Sequence, residues 1–325
     1  MKRKSFTLVA CSLAAALLCA VAAQAQQPYP VRPIRLVVPS SPGGGTDITA
    51  RIMAPKLGEY LGQQVVVENR PGAGTMIGGE AVARSAPDGY TLLMGISTLA
   101  INPAMYRKMP YDALKDFAPI SQAVSLPNIL VTHPSLPVKT VKELIAFGKA
   151  RPGQINFASA GVGTNPHLSM ELFLSMAGVK MIHVPYKGSG QGVIDLIAGH
   201  VSVMTPSILT GLPHIKAGRL RGLGVTSARR AAGAPEIPTI AEAGVPGYEA
   251  VQWFGILAPA GTPRAIIERV NREAVRVLQT PDVRERLVAD GADPVGSSPD
   301  EFGAFIRAET VKWAKVAREV GIRPE

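Results

Sequence analysis

The chain has 325 residues, a formal charge of +10 and only two cysteines, with 46% hydrophobic and 18% charged residues. A high apolar fraction with little charge argues against an intrinsically disordered protein, and the lack of a glycine repeat argues against collagen. Two cysteines are too few for a disulfide scaffold. The length suits two domains, each large enough to bury a core.

The first 25 residues form a predicted secretory signal peptide. Basic residues at positions 2–4 precede an apolar run from Phe6 to Val21, and Ala23 and Ala25 supply small residues before a cut after Ala25. An uncleaved membrane anchor is the alternative, because the run approaches the ~20 residues needed to span a bilayer. Cleavage removes both cysteines and three basic residues, which lowers the charge to +7. We therefore expect an exported protein, which in a Gram-negative cell lies in the periplasm.

Beyond this segment the chain predicts alternating strands and helices. In chain order these are strand 34–38, helix 47–61, strand 65–67, helix 76–84, strand 90–94, strand 129–132, helix 141–150, strand 155–157, helix 167–177, strand 182–184, helix 192–198, strand 201–204, helix 209–216 and strand 223–225. Residues 263–320 are predicted to be nearly all helical, with turns near Pro281 and Pro299. Such alternation is typical of parallel α/β sheets with helices on both faces. Two such units in one exported chain favour a bilobed architecture.

Two glycine-rich loops each follow a predicted strand and precede a predicted helix. The first glycine loop is residues 40–47 (Ser-Ser-Pro-Gly-Gly-Gly-Thr-Asp), and the second is residues 159–167 (Ser-Ala-Gly-Val-Gly-Thr-Asn-Pro-His). Ligands of open parallel sheets lie where strands lead into helices, and a helix N-terminus approached by glycine backbone suits an anion. The glycine spacing matches neither a P-loop nor a dinucleotide-binding motif. We predict that the two loops face each other across a cleft; an ordinary capped turn is the alternative for either loop alone.

The sequence lacks the motifs of common catalytic and metal sites. It has no Gly-x-Ser-x-Gly elbow, no His-Glu-x-x-His pair, and no metal-ligand spacing among its five histidines. Its basic residues cluster weakly and are not interleaved with aromatic residues, which favours a solvated surface over a nucleic-acid site. These patterns predict binding rather than catalysis, with no catalytic residue, no metal and no cofactor.

A series of short motifs extends over nearly all of residues 28–322. Residues 42–51 have the pattern Pro-Gly-Gly-x-x-Asp-x-x-Ala-Arg, and residues 161–168 have the pattern Gly-x-Gly-Ser/Thr-x-x-His-Leu. Further landmarks follow in order at residues 67–74, 87–91, 183–188 and 237–244. With these motifs in register, the chain resembles the Bug-type receptors, the extracytoplasmic solute receptors of tripartite tricarboxylate transporters.

The resemblance implies an α/β fold of the type II periplasmic-binding-protein kind, with two mixed or parallel sheets, flanking helices and an interlobe cleft. It places lobe 1 at residues 26–124 and 222–325, and lobe 2 at residues 125–221. It further implies that the cleft binds a small carboxylate, closes about a two-strand hinge, and delivers the ligand to a tripartite-type membrane permease. We expect a monomer that binds no nucleic acid. A carboxylate receptor for a two-component sensor kinase and a periplasmic enzyme acting on small acids are the alternatives.

Carried over residue by residue, the resemblance also implies a set of ligand-binding residues. They are Ser41, Gly43, Gly44, Thr46 and Asp47 in the first glycine loop, Ser97 and Thr98 after the third strand, and Gly161, Gly163, Thr164 and His167 in the second glycine loop. Their N–H and hydroxyl groups would form short, charge-assisted bonds to a carboxylate, and ordered waters would adapt the site to different acids. For His167 by itself, a packing or capping role is the alternative.

Three further positions bear on the predicted pocket. Ser40 and Ser41 stand where the family often has an aromatic residue and Ala, which predicts a roomier or more polar pocket floor. Thr205 stands where an aromatic residue or Asp is frequent, and the absence of a carboxylate there disfavours amino-acid ligands. Tyr186 and Lys187 lie in a Pro-Tyr-Lys-Gly turn, which predicts either a place at the rim of the cleft or a purely structural turn.

Overall fold

The computed structural model describes residues 29–319, so the predicted signal peptide at residues 1–25 lies outside the described residues. The strands are β1 (Ile34–Val38), β2 (Val65–Asn69), β3 (Thr91–Ile96), β4 (Phe117–Pro127), β5 (Ile129–Thr132), β6 (Asn156–Ser159), β7 (Ile182–Pro185), β8 (Val203–Met204), β9 (Arg221–Val225), β10 (Val251–Pro259) and β11 (Asp293–Pro294). The helices are α1 (Gly45–Leu61), α2 (Met76–Ala83), α3 (Thr98–Met105), α4 (Val141–Ala150), α5 (Asn165–Ala177), α6 (Ser189–Ile197), α7 (Ile208–Lys216), α8 (Arg264–Gln279), α9 (Pro281–Ala289) and α10 (Pro299–Glu319).

The described strands form two mixed sheets. The first sheet has the order β11-β4-β10-β3-β1-β2, and the second sheet has the order β7-β6-β8-β5-β9. In the first sheet β1 lies parallel between β2 and β3, while β10 runs antiparallel to β3 and β4. In the second sheet β6 lies parallel between β7 and β8, while β5 runs antiparallel to β8 and β9. The predicted α/β class with two mixed sheets is confirmed.

The core of the first sheet fixes both ends of the first glycine loop. Ile34 and Leu36 on β1 are fully buried, as are Met53 and Leu57 on α1, and all four belong to one apolar cluster. Full burial of a side chain of this size stabilises the fold by ~1.5–3 kcal/mol. The loop between β1 and α1 is therefore held at both ends by elements that pack in the core.

The second glycine loop is anchored in the same way. Phe157 on β6 is fully buried against Met170 and Phe173 on α5, in a separate apolar cluster. Tyr248 extends this cluster, and its hydroxyl donates to the Ser169 carbonyl at 2.8 Å. Each glycine loop thus connects a buried strand to a buried helix of its own sheet.

Two segments carry the chain between the sheets. Asn128 separates β4 from β5, and residues 226–250 lead from β9 back to β10. However, β4 pairs with β10 as far as Pro127, and β9 pairs with β5 as far as Val225, whereas the predicted lobe boundaries follow residues 124 and 221. The strand pairing favours boundaries at Asn128 and after Val225, and the division into lobes stays a prediction.

A buried amide network lies at these crossings. The Asn128 side-chain amide donates to Asn165 Oδ1 at 2.7 Å and to Ser169 Oγ at 3.0 Å, and it accepts a hydrogen bond from Gln252. Asn165 in turn donates to the Val251 carbonyl at 3.1 Å. The network links the start of α5, at the end of the second glycine loop, to both crossings.

No helix within residues 29–319 is long and apolar enough to cross a membrane.

Candidate functional site

A small cavity of about 40 Å³ lies between loops of the two sheets. It is lined by Pro39, Ser40, Gly72, Ala73, Gly74, Thr75, Ile96, Ala160, Thr164, Tyr186, Lys187 and Gly188. These residues follow β1, β2 and β3 in the first sheet and β6 and β7 in the second, or end those strands. A larger groove of about 720 Å³ beside α1 and β2 is open and touches only the first sheet. We take the small cavity as the candidate site, because ligands of such sheets lie at the carboxyl ends of the parallel strands.

Loops from the two sheets are in direct contact around the cavity. The Ser41 N–H donates to the Lys187 carbonyl at 3.2 Å, which joins the first glycine loop to the loop after β7. The Tyr106 hydroxyl donates to the Val162 carbonyl at 3.3 Å, which joins the end of α3 to the second glycine loop. The structure therefore has the two predicted glycine loops close to one interface between the sheets.

Four buried hydroxyl groups in the first sheet have no hydrogen-bond partner among the described residues. They belong to Ser40, Ser41, Ser97 and Thr98, and none of these residues is more than 7% exposed. A buried hydroxyl without a partner costs free energy, which a polar ligand can recover. Ser40 lines the cavity, and Ser41, Ser97 and Thr98 were predicted as site residues. Of the Ser40-Ser41 pair only Ser40 lines the cavity, and the polar pocket floor stays a prediction.

Two helix N-termini lie at the same interface without a side-chain cap. Gly44 precedes α1 and has no side chain that could cap it. Thr164 precedes α5, and its side chain makes no hydrogen bond to the helix. The first N–H groups of a helix have no partner within the helix, and they carry its positive dipole end. Thr46 is buried in the first turn of α1. These ends suit a negatively charged ligand.

Asp47 holds the first glycine loop in its conformation. Its carboxylate accepts hydrogen bonds at 2.9 Å from the Gly43 N–H, from Arg51 Nε and from Asn69 Nδ2. Burial would raise the pKa of Asp47, but the bonds from Arg51, Gly43 and Asn69 outweigh it and hold this pKa below its usual range. Both the Gly43 N–H and the Asp47 carboxylate therefore have protein partners, which favours a positioning role for them over direct ligand contact.

We expect Asp47→Ala to lower the free energy of unfolding by about 1–3 kcal/mol, because three donors lose their acceptor. The contribution of the carboxylate is complete above its unfolded pKa of about 3.9 and is lost as the pH falls through the lowered folded value. Thermal unfolding at pH 7 and at pH 3 measures this. The deficit of the variant should shrink at the lower pH. An equal deficit at both pH values would contradict the network as its cause.

The second glycine loop is bonded within itself. The Gly161 N–H donates to Ser159 Oγ at 3.0 Å, and the Gly163 N–H donates to His167 Nδ1 at 3.2 Å. The Thr164 hydroxyl donates to the Gly161 carbonyl at 2.7 Å. Of the predicted site residues in this loop, Thr164 lines the cavity. His167 bonds to the loop backbone instead, which favours the packing or capping role given for it in the sequence analysis. Direct ligand contacts of Gly161 and Gly163 stay a prediction.

The segment 72–75 was missed as part of the site. All four of its residues have positive φ: 126° at Gly72, 47° at Ala73, 57° at Gly74 and 76° at Thr75. Ala73 and Thr75 are strained there, since residues with a Cβ rarely adopt this conformation. The Asn102 side-chain amide fixes the segment by donating to the Gly74 carbonyl at 3.1 Å. The Pro-Gly-Ala-Gly sequence that ends the 67–74 motif was the available signal.

Tyr186 and Lys187 line the cavity, which favours the predicted place at the rim of the cleft over a purely structural turn. The Tyr186 hydroxyl donates to Asp195 Oδ2 at 2.6 Å, and burial together with this carboxylate raises the pKa of Tyr186 to about 12. Lys187 is exposed. The lining contains no carboxylate side chain, so the electrostatics of the described cavity suit an anion and offer no partner to an ammonium group. No group of three potential metal ligands occurs within residues 29–319.

Comparisons with known proteins identify the family. A family model described as the tripartite tricarboxylate transporter family receptor matches residues 49–322. Protein BugT of Bordetella pertussis is 43% identical over 297 residues, which cover 91% of each chain. The solved periplasmic binding protein BugD has a TM-score of 0.89 at 32% identity, covering 91% of this chain and all of that one. An R. palustris protein solved with adipate has a TM-score of 0.89 at 39% identity, with the same coverage. The resemblance drawn from the motifs is thereby confirmed, and the chain belongs to the receptor family of the tripartite tricarboxylate transporters.

Proposed function

We propose that this receptor binds a small carboxylate in the cavity between its two sheets and delivers it to the membrane permease of a tripartite transporter. The observation that carries the proposal is the cavity itself. In the described part of the chain it has a buried hydroxyl without a partner, two helix ends nearby without a side-chain cap, and no acidic side chain in its lining. The relatives solved with adipate and with malate, the latter MatC from Rhodopseudomonas palustris, support a carboxylate as the ligand class.

The donors at and next to the cavity match the acceptors of a carboxylate. On the side of the first sheet Ser40 lines the cavity, and Ser41 and the start of α1 follow in the same loop; on the side of the second sheet Thr164 lines the cavity directly before the start of α5. Hydrogen bonds to an ionised acceptor are about twice as strong as neutral ones. Thr46, Ser97 and Thr98 extend the proposed donor set on the first sheet. A hydrogen bond inside a protein is electrostatically stronger than the same bond in water, because the local dielectric is lower.

A ligand that bonds to both sheets favours the conformation in which their loops are in contact. We propose that residues on either side of Asn128 and in segment 226–250 act as the hinge, and that closure brings Ser41 to Lys187. A ligand shifts such an equilibrium only by its differential affinity for the closed form. The closed form then carries a surface built from both lobes, by which the permease can distinguish a loaded receptor. We further propose that the protein acts in the periplasm as a monomer, after cleavage behind Ala25.

Thermal unfolding of the mature protein tests the ligand class. In a panel of mono-, di- and tricarboxylates, aromatic acids and amino acids, we expect one class of carboxylates without an ammonium group to raise the melting temperature. A ligand at 100 times its dissociation constant adds about 2.7 kcal/mol of stability. Mass spectrometry of the recovered compound should show it unchanged. Stabilisation by amino acids alone would contradict the assignment of a ligand without an ammonium group, and conversion of the compound would indicate an enzyme instead.

A further inference from the structure

We propose that a stacked histidine pair, His167 and His183, positions the second glycine loop for ligand binding. The inference rests on the proposed function only for its effect on ligand affinity. Its effect on the loop itself is measurable without any ligand.

His167 is the direct acceptor for the loop. The residue is 8% exposed, and its Nδ1 accepts the Gly163 N–H at 3.2 Å. Because Nδ1 accepts, the ring hydrogen of the neutral form is on Nε2, which lies 3.6 Å from Glu171 Oε1. One histidine nitrogen is therefore committed to the loop backbone, and the other faces a carboxylate on the same helix.

His183 supports the loop through a second route. Its Nε2 lies 2.6 Å from Ser159 Oγ, and the same Oγ accepts the Gly161 N–H at 3.0 Å. The ring of His183 stacks on that of His167, with centroids 4.1 Å apart and planes 16° from parallel. His183 also stacks on Phe157, with centroids 4.9 Å apart, and the Phe157 and His167 centroids are 6.5 Å apart. Each of the two glycine N–H groups is thus connected to one member of a three-ring stack.

His183 disfavours positive charge. Burial and the neighbouring His167 together lower the pKa of His183 to about 4, although Glu171 acts in the opposite direction. Glu171 and the two histidines are the titratable groups that face one another here. A neutral His183 is suited to share a hydrogen bond with the Ser159 hydroxyl, which holds the Gly161 N–H. His167 holds the Gly163 N–H directly, so loss of its Nδ1 leaves that N–H without this acceptor.

The loop conformation matters because of Thr164. This residue lines the cavity and directly precedes α5, and its hydroxyl bonds to the carbonyl of Gly161. Release of Gly163 from His167 frees the backbone immediately before Thr164. The donors of the second sheet would then no longer be held in place before the ligand arrives, and ordering them on binding reduces affinity.

Two variants separate the acceptor from the ring. His167→Phe keeps a flat ring in the stack but removes the acceptor, whereas His167→Gln keeps a side-chain oxygen that can accept from Gly163. The control is His214→Gln, which removes a half-buried histidine on α7, remote in the chain from the loop. The first measurement is amide hydrogen exchange at residues 161–163 in the ligand-free protein at pH 7. We expect exchange to rise roughly tenfold in His167→Phe and much less in His167→Gln, as loss of one hydrogen bond implies.

The second measurement is the affinity for adipate at pH 7.5. We expect His167→Phe to bind adipate roughly tenfold more weakly than the wild type, again the effect of one hydrogen bond. His167→Gln should bind adipate close to the wild-type affinity, because its side-chain oxygen can accept the Gly163 N–H. Unchanged exchange in His167→Phe, or equal effects in His214→Gln, would overturn the proposal. If the wild type does not bind adipate, the choice of ligand fails while the exchange result still decides whether His167 positions the loop.

Discussion

A Gly190→Ala variant is expected to lose ligand affinity without losing stability. Gly190 lies in α6 beside the second sheet, and a Cβ added to it would overlap the Pro42 carbonyl oxygen of the first glycine loop. The same Cβ would lie 3.2 Å from the Pro42 carbonyl carbon and 3.3 Å from the Gly43 carbonyl carbon. These are backbone atoms of the opposite sheet, so no side-chain rotation relieves the overlap. The obstruction exists only while the two loops are in contact.

The size of the effect follows from the cost of overpacking. Forcing extra atoms into a packed contact costs ~1–3 kcal/mol, which corresponds to a roughly 5- to 150-fold loss of affinity. Without ligand the loops are free to separate, and alanine is more favourable than glycine in a helix by up to ~1 kcal/mol. The melting temperature of the ligand-free variant should therefore equal or exceed that of the wild type.

Calorimetric titration with the stabilising carboxylate measures the affinity, and small-angle scattering with and without ligand measures the closure. The matched control is Gly303→Ala on α10, where the nearest atoms to the added Cβ are 3.5 Å away and no second-sheet residue is involved. This control should bind and compact as the wild type does. Wild-type affinity in Gly190→Ala would show that ligand binding does not require the contact between the loops.

Local sequence patterns predicted those helices and strands whose start and end are determined by residues within or beside the segment. The helix at residues 141–150 was predicted with its observed bounds, and Thr140 caps it by accepting the Glu143 N–H at 3.1 Å. The strand at residues 129–132 was likewise predicted with its observed bounds. In both, the signals that start and stop the element lie within the segment or beside it. The alternation of such elements was enough to predict an α/β protein.

Strands β4 and β10 were not predicted, because their causes are distant in sequence. β4 contains Pro119, and its pairing with β10 shifts register twice. Gly255 in β10 weakens the strand pattern, yet Phe302 of α10 packs where its Cβ would lie. Because of the proline, the glycine and the register shifts, neither strand has a regular local sequence pattern from which it could be predicted. Their antiparallel pairing is nevertheless what makes the first sheet mixed.

The candidate site was predicted to the level of loops, but not to the level of atoms. Glycine content and position between strand and helix were sufficient to select both glycine loops. The direction of each N–H group depends on partners elsewhere in the chain, such as Asn69 for Asp47 and His183 for Ser159. The positive φ angles of Ala73 and Thr75 could not be predicted from residue type either, because alanine and threonine rarely adopt positive φ in proteins.

A Ser40→Ala variant is expected to weaken carboxylate binding by roughly 10- to 150-fold, which is the loss of one hydrogen bond to a charged group, ~1.5–3 kcal/mol. Ser40 Oγ is buried, has no partner among the described residues, and belongs to a residue that lines the cavity. Its removal breaks no hydrogen bond of the free protein and relieves a desolvated hydroxyl. The ligand-free melting temperature should therefore stay level or rise, in contrast to the destabilisation expected for Asp47→Ala.

Thr132→Val is the matched control for Ser40→Ala. Thr132 also carries a buried hydroxyl that has no partner within residues 29–319, but it lies on β5 and does not line the cavity. Both variants remove a buried hydroxyl, so a general effect of such removal would change both affinities equally. Because only Ser40 lines the cavity, titration calorimetry should show a loss of affinity in Ser40→Ala and wild-type affinity in Thr132→Val. Equal affinities in the two variants would place the ligand away from Ser40, and the same titration of Thr98→Val would then show whether it lies nearer the start of α3.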